Sequence, residues 1–384
     1  MINIINMNVM DWIDASAACA LLGVKPQTLY AYVSRGQLRA EADSQDARRS
    51  LYFRPDVEAL LRQNRRPRAR SEVAEQAIRW GDPVLVTAIS EVRDGMLWLR
   101  GRSVEACAET MTPEQMAAHL CGFDRLDLPD VPWSGEGGTP VGRAMQALAG
   151  AVGGAVPIAD LGASERAAEA GRLISLVINA LLGQAGGGAL QARFAGAWGL
   201  DRGGEDEIRR ALVLLSDHEL NPSTFAVRIA ASTGASLPAA LLCGVATLSG
   251  PRHGGASALA RAALEAALQG DLEAFLSART GQSPYGFGHG HPLYPDGDPR
   301  ARLLLERLPH DHPVRQAQRE LARTLGLAPN VDTGLAALEL GWGLPRDAGF
   351  TIFAAGRLAG WIAHALEQAS SGAPIRPRAR YAAE

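Results

Sequence analysis

Through most of this chain apolar residues return every three or four positions, and each run closes on Gly, Pro, Asp or Asn. That period is the signature of helices with one buried face. It predicts helices over MTPEQMAAHLCG, SERAAEAGRLISLVINALLG, EDEIRRALVLLSDHEL, TFAVRIAASTG, LPAALLCGVATLSG, ASALARAALEAALQ, PVRQAQRELARTLG and FTIFAAGRLAGWIAHALEQ. No fixed internal repeat of the solenoid kind is present. Strand-like patterns are confined to two places. RRSLYFRPDVEALLRQ (Arg48 to Gln63) reads as a strand followed by a helix, and the apolar residues Val84 to Ile89 and Met96 to Leu99, split by Asp94 and Gly95, read as a hairpin.

Near the start, Ile13 to Leu38 holds two short helical patterns separated by Gly23 and Val24. Ala17, Ala18, Leu21 and Leu22 form one apolar face; Thr28, Leu29, Tyr32 and Val33 continue it, with Pro26 suited to a first helical turn. With the strand and helix after it, this segment resembles the winged helix-turn-helix of the MerR and excisionase type over residues 1–63. The first 70 residues carry eleven basic and seven acidic side chains, about +4, against about -7 for the remainder of a chain of net charge -3. Such asymmetry suits DNA contact through residues 13–63, although the second helix offers only Lys25, Gln27, Thr28 and Tyr30 for bases and phosphates. A packing or oligomerisation module is the alternative. The run NRRPRAR marks a linker, placed over 64–80.

A chain of 384 residues exceeds one ordinary core. With 47% hydrophobic and 21% charged residues and a mean hydropathy of -0.03, it has a soluble globular composition. No apolar stretch is long enough to span a membrane, and Asp11 and Asp14 with no basic run before them argue against a secretory leader. A cytoplasmic protein is expected. Cys19, Cys107, Cys121 and Cys243 lie far apart without metal-ligand spacing, so neither a disulfide framework nor a metal site is expected, and buried thiols are. Lys25 is the only lysine. Cationic chemistry therefore falls to arginine, whose planar fork matches carboxylates and phosphates.

Four polar islands break the Ala/Leu pattern where helices should begin or end: DHELNPSTF (217–225), GPRHGGAS (250–257), GHPLYPDGDPR (290–300) and PNVDTG (329–334). Glycine beside histidine at a helix end can present imidazole and backbone N–H groups to an anion. Together with GRLAGWIAH and RPRARY near the C-terminus, these islands resemble, in order, the citrate synthase family across roughly 81–384.

The resemblance implies a mainly α-helical, two-domain fold, with a large domain over 81–252 and 342–384 and a small one over 253–341, preceded by the winged helix-turn-helix-like domain. It implies condensation of acetyl-CoA with oxaloacetate and hydrolysis of the thioester, with no permanently bound cofactor. Asp332 would take the methyl proton, and His253, kept neutral by a helix N-terminus, would donate to the thioester oxygen. His291 would polarise the ketone and protonate the new alkoxide. Spacing within the family pattern favours His291, nine residues before Arg300, over His289. His218, Arg300, Arg357 and Arg376 would bind the dicarboxylate, with Arg376 contributed across a homodimer interface. Four positions depart from the family pattern: His289, Pro292, Ser257 and Thr333. They bear on acyl specificity, so a 2-methylcitrate synthase using propionyl-CoA is an alternative; a DNA-binding metabolite sensor built on the same body is another.

Overall fold

The computed structural model describes residues 12–43, 46, 49–64, 84–135, 137–379 and 381. The expected linker over 64–80 and the N-terminal residues read for a leader lie almost wholly outside these. Two compact units are formed, Met1–Val86 and Thr87–Glu384.

In the first unit, the helices Ala15–Leu22 and Pro26–Ser34 are joined by a turn at Gly23, whose φ of 66° needs glycine. Asp14 caps the first helix by accepting from the Ala17 amide at 2.7 Å. Strands Trp12–Asp14, Ala40–Ala42 and Ser50–Phe53 make an antiparallel sheet with the last strand central, and the helix Arg54–Asn64 follows. Ala18, Leu29, Leu38, Tyr52, Val57 and Leu60 form a small core. Leu21, expected on the buried face, is 42% exposed; the short first helix turns only one narrow stripe inward, and Ala18 occupies it.

The second unit opens with the hairpin Ser90–Arg93 and Met96–Leu99. The first strand lies later than the apolar pattern suggested. Asp94 and Gly95 both have positive φ, so a two-residue turn pairs the four residues before it with the four after it. Beyond a short strand at Arg102–Ser103 the unit is helical, and each of the eight expected helices is present. Shorter helices not read from the sequence include Pro299–Leu305 and Val331–Gly341.

Helix Ala348–Ser371 is the axis of the unit. Its 24 residues are buried nearly throughout, as expected for a helix apolar on every side. A large apolar cluster surrounds it, and a second cluster is assembled within residues 259–342. Two helices serve both. Leu303 and Leu304 face the first cluster and Leu305 the second, while Leu335 and Leu338 face the first and Ala336 and Ala337 the second. Arg300 and Asp332 sit on these doubly packed helices, where little freedom to move remains. The cysteines are less uniform than expected: Cys107 is buried, Cys19 and Cys121 half-buried and Cys243 exposed. Among the described residues no helix is long and apolar enough to cross a membrane, and no cluster of side chains could hold a metal ion.

Candidate active site

Helix ends place the polar islands. Asn221 caps Pro222–Ser232 by accepting from the Thr224 amide at 3.2 Å, which fixes the turn carrying His218. Asn330 caps Val331–Gly341 by accepting from the Asp332 amide at 3.0 Å, which puts Asp332 in the first helical turn. Asp298 caps Pro299–Leu305, which begins with Arg300 as its second residue. Each cap satisfies backbone donors that the helix itself leaves unpaired.

His218, His291, Tyr294 and Arg300 come together. His218 Nε2 lies 2.9 Å from the Tyr294 hydroxyl. The His291 ring sits 5.3 Å from that of His218 and 4.9 Å from that of Tyr294, and the Arg300 guanidinium is 5.7 Å from the Tyr294 ring centre. Burial, then the positive charge of Arg300, pushes His291 down to about 4. The same two causes, with His291 and Arg357 added, hold His218 well below the usual imidazole range. Both rings are therefore neutral at pH 7.

Arg357 approaches from the long axial helix. Its Nε donates to the Leu215 carbonyl at 2.9 Å, and its Nη2 is buried with no partner. Burial lowers Arg357 to about 10, with Arg300 adding to the effect and Asp217 opposing it. Phe353 joins this arginine to His253, with Arg357 4.8 Å from the ring centre and the His253 ring 6.0 Å from it. His253 Nε2 is 2.8 Å from Ser223 Oγ. Its pKa falls to about 4, and the leading cause is burial, followed by Arg357. Neutrality was expected from a helix N-terminus; desolvation and a neighbouring guanidinium are what enforce it.

Asp332 is buried, and burial lifts its carboxyl to about 7 against the attraction of Arg300, with Asp298 pushing the same way as burial. Its raised pKa suits a group that must accept a proton near neutral pH. His289, the other histidine of its loop, points elsewhere. It is fully buried, with Nδ1 3.0 Å from the Phe287 carbonyl and Nε2 unpartnered. Arg376 is exposed on the extended C-terminal segment, and no contact among the described residues joins it to the cluster.

Sequence reading passed over four residues around this site. Tyr294 and Asp298 lay inside the GHPLYPDGDPR island, and Ser223 and Asp217 inside DHELNPSTF. Asp217 is fully buried beside His218. It accepts from the Ser90 hydroxyl, and its Oδ2 lies 3.3 Å from His364 Nε2. His364 is in turn 3.3 Å from Arg228, which donates to Glu367 at 2.7 Å. The signal available was position within a motif; what it lacked was any indication of which polar residue becomes buried.

A family model described as citrate synthase, C-terminal domain, matches residues 185–378. A citrate synthase of Haloferax volcanii is 38% identical over 186 residues, 45% of this chain and 49% of that protein. A 2-methylcitrate synthase of Mycobacterium tuberculosis is 33% identical over 188 residues, 45% of this chain and 47% of that protein. The chain thus spans about half the length of the curated relatives it matches. Among solved structures, a ternary complex of Thermoplasma acidophilum citrate synthase with carboxymethyl coenzyme A and oxaloacetate has a TM-score of 0.64 at 22% identity, covering 79% of this chain and 94% of that one. Citrate synthase from Thermotoga maritima gives 0.63 at 22% identity, with the same coverage. These two likenesses show the fold.

Proposed function

The chain belongs to the citrate synthase family, and from that premise we propose that it joins the carbon next to an acyl-CoA carbonyl to the ketone of oxaloacetate and then hydrolyses the thioester to release CoA. The observation that carries this reading is the charge pattern of the site: two buried guanidiniums, imidazoles held neutral, and one carboxyl poised near 7.

A dicarboxylate entering this space meets Arg300, Arg357 and His218, and desolvation makes each contact stronger than it would be in water. Arg357 Nη2, buried without a partner, gains an acceptor by that binding. Asp332 removes the proton from the thioester methyl group. That carbon is a weak acid, so the charge arriving on the thioester oxygen must be met by a donor as it develops. His253 is that donor. The Ser223 hydroxyl donates to Asn221 Oδ1 at 2.7 Å and lies 2.8 Å from His253 Nε2, a contact that holds the imidazole ring in place. His291, half-buried beside His218, polarises the ketone and protonates the alkoxide; His289, enclosed by its own loop and by Thr333, serves packing.

The test is CoA release by purified protein given oxaloacetate with acetyl-CoA or propionyl-CoA. Release that requires oxaloacetate is expected, and none with either thioester would overturn the reading. One methylene is worth about 1–3 kcal/mol in a pocket, so the ratio of kcat/KM for the two thioesters separates citrate from 2-methylcitrate synthesis. The division into a large domain and a closing small domain over 253–341 belongs to this proposal, supported by the second apolar cluster within 259–342.

A homodimer with Arg376 reaching the neighbouring site is part of the same reading, supported by the exposure of Arg376 on an extended segment. Mixing inactive Asp332→Asn and Arg376→Ala chains should restore activity if the arginine acts across an interface. In a cytoplasmic setting, DNA binding by residues 13–63 is a second reading, favoured by two helices followed by a hairpin and by the basic balance of the first 70 residues. Against it, Arg39 and Arg54 are engaged by Asp56 and Glu58. A gel shift that weakens steeply with salt is its test.

A further inference from the structure

The geometry points to Asp298 as a positioning residue that fixes Arg300 and Asp332 relative to each other. One carboxylate, whose side chain is 0% exposed, accepts four hydrogen bonds. Oδ1 takes the Arg300 amide and the Arg300 Nε, each at 3.0 Å. Oδ2 takes Arg300 Nη2 at 2.7 Å and the Val331 amide at 3.1 Å. Val331 is the first residue of the helix that carries Asp332. The same anion therefore orients the carboxylate-binding arginine and anchors the turn that presents the base. Both ends are needed by the proposed reaction, and this inference rests on that reading of Arg300 and Asp332.

Two consequences follow from the bonds. First, Nε and one N–H of Nη2 of Arg300 are committed to Asp298, so the edge formed by Nη1 and the second N–H of Nη2 is the one that turns to a substrate carboxylate. An asparagine could cap the helix equally well, but its amide would set N–H groups against the Arg300 donors. The position thus asks for a charged acceptor rather than any capping side chain. Second, Asp298 places a negative charge near Asp332. The titratable and charged groups facing Asp332 are Arg300, Asp298 and Tyr285; Arg300 favours ionisation of Asp332, and Asp298 opposes it. Removing the Asp298 charge tips that balance toward the ionised base.

Asp298→Asn and Asp298→Ser test this in the full-length protein, serine being a second good helix cap too short to engage the guanidinium. Three measurements are made: the KM for oxaloacetate, the pH profile of kcat, and the melting temperature. A misplacement of about 1 Å at reacting groups costs about 100-fold, so kcat/KM for oxaloacetate should fall by about that factor. The acid limb of kcat should move to lower pH in both variants. A residue serving the fold alone would lower the melting temperature and leave the limb where it is. Wild-type kcat/KM in either folded variant, or a loss with an unmoved limb, overturns the proposal. So does failure of both variants to fold, which would assign the carboxylate to the fold. An inactive wild-type protein would instead refute the proposed reaction, so the two failures are told apart.

Discussion

Asp332→Asn separates the cost of the proposed base from its benefit. An ordinary aspartate ionises at 3.8, and burial raises Asp332 to about 7. At about 1.4 kcal/mol per pH unit, ionising this carboxyl is about 4 kcal/mol harder in the folded protein than in the unfolded chain. A raised carboxyl pKa means that the folded state holds a proton the unfolded state has lost. The penalty is therefore absent below pH 3.8, grows as pH rises toward 7 and is complete above it. Asparagine has nearly the same shape and never ionises. Its amide adds its own cost of fitting two N–H donors into the site, but that cost does not depend on pH. Urea unfolding of wild type and Asp332→Asn at pH 5 and pH 8.5 should show the difference in stability move by about 3 kcal/mol in favour of the variant between those pH values. CoA release should fall by about 100- to 10,000-fold at pH 8.5, and by much less at pH 5, where the wild-type carboxyl already holds its proton. Parallel stability curves across that range would show that Asp332 is an ordinary carboxylate and would remove the argument for its basicity.

Ser223→Ala tests the contact that holds the His253 ring: kcat should fall about tenfold or more while the KM for oxaloacetate holds, because His253 and not the dicarboxylate clamp is disturbed. Loss of the Trp361 Nε1 acceptor at 3.3 Å should lower stability by about 1–2 kcal/mol in denaturant melts. Gly360→Ala should be more damaging. A methyl group there collides with Asp217 Oδ1 and the Ser216 carbonyl, which accepts from the Gly360 amide at 2.9 Å. A loss of about 3 kcal/mol, with weakened oxaloacetate binding through the displaced His218 turn, is expected. An unchanged melting temperature would show that the helix can withdraw from the turn.

Several features of the site lay open in the sequence because they are local. The i, i+3, i+4 pattern gave the long helices. Asp94-Gly95 set a hairpin, though the strand before it shifted to Ser90–Arg93 because turn geometry, not apolarity, chooses the partners. The resemblance of the islands, taken in order, to the citrate synthase family raised the expectation that their histidines, arginines and Asp332 share one site. Short capping motifs are legible for the same reason: Asn221, Asp298 and Asn330 each act within three residues of themselves.

Packing decided the chemistry of those residues. Whether an imidazole is neutral, or a carboxyl basic, depends on how much water its surroundings exclude, and that is set by segments distant in sequence. Arg357 rests on the Leu215 carbonyl, Asp217 on His364 and Ser90, and the Asp298 carboxylate on the Val331 amide. No local pattern encodes those meetings. The sequence by itself determined which groups could act and on which helix ends they stand. Tertiary structure decided which of them lost their water, since desolvation and Coulomb attraction act through space and take no account of order along the chain.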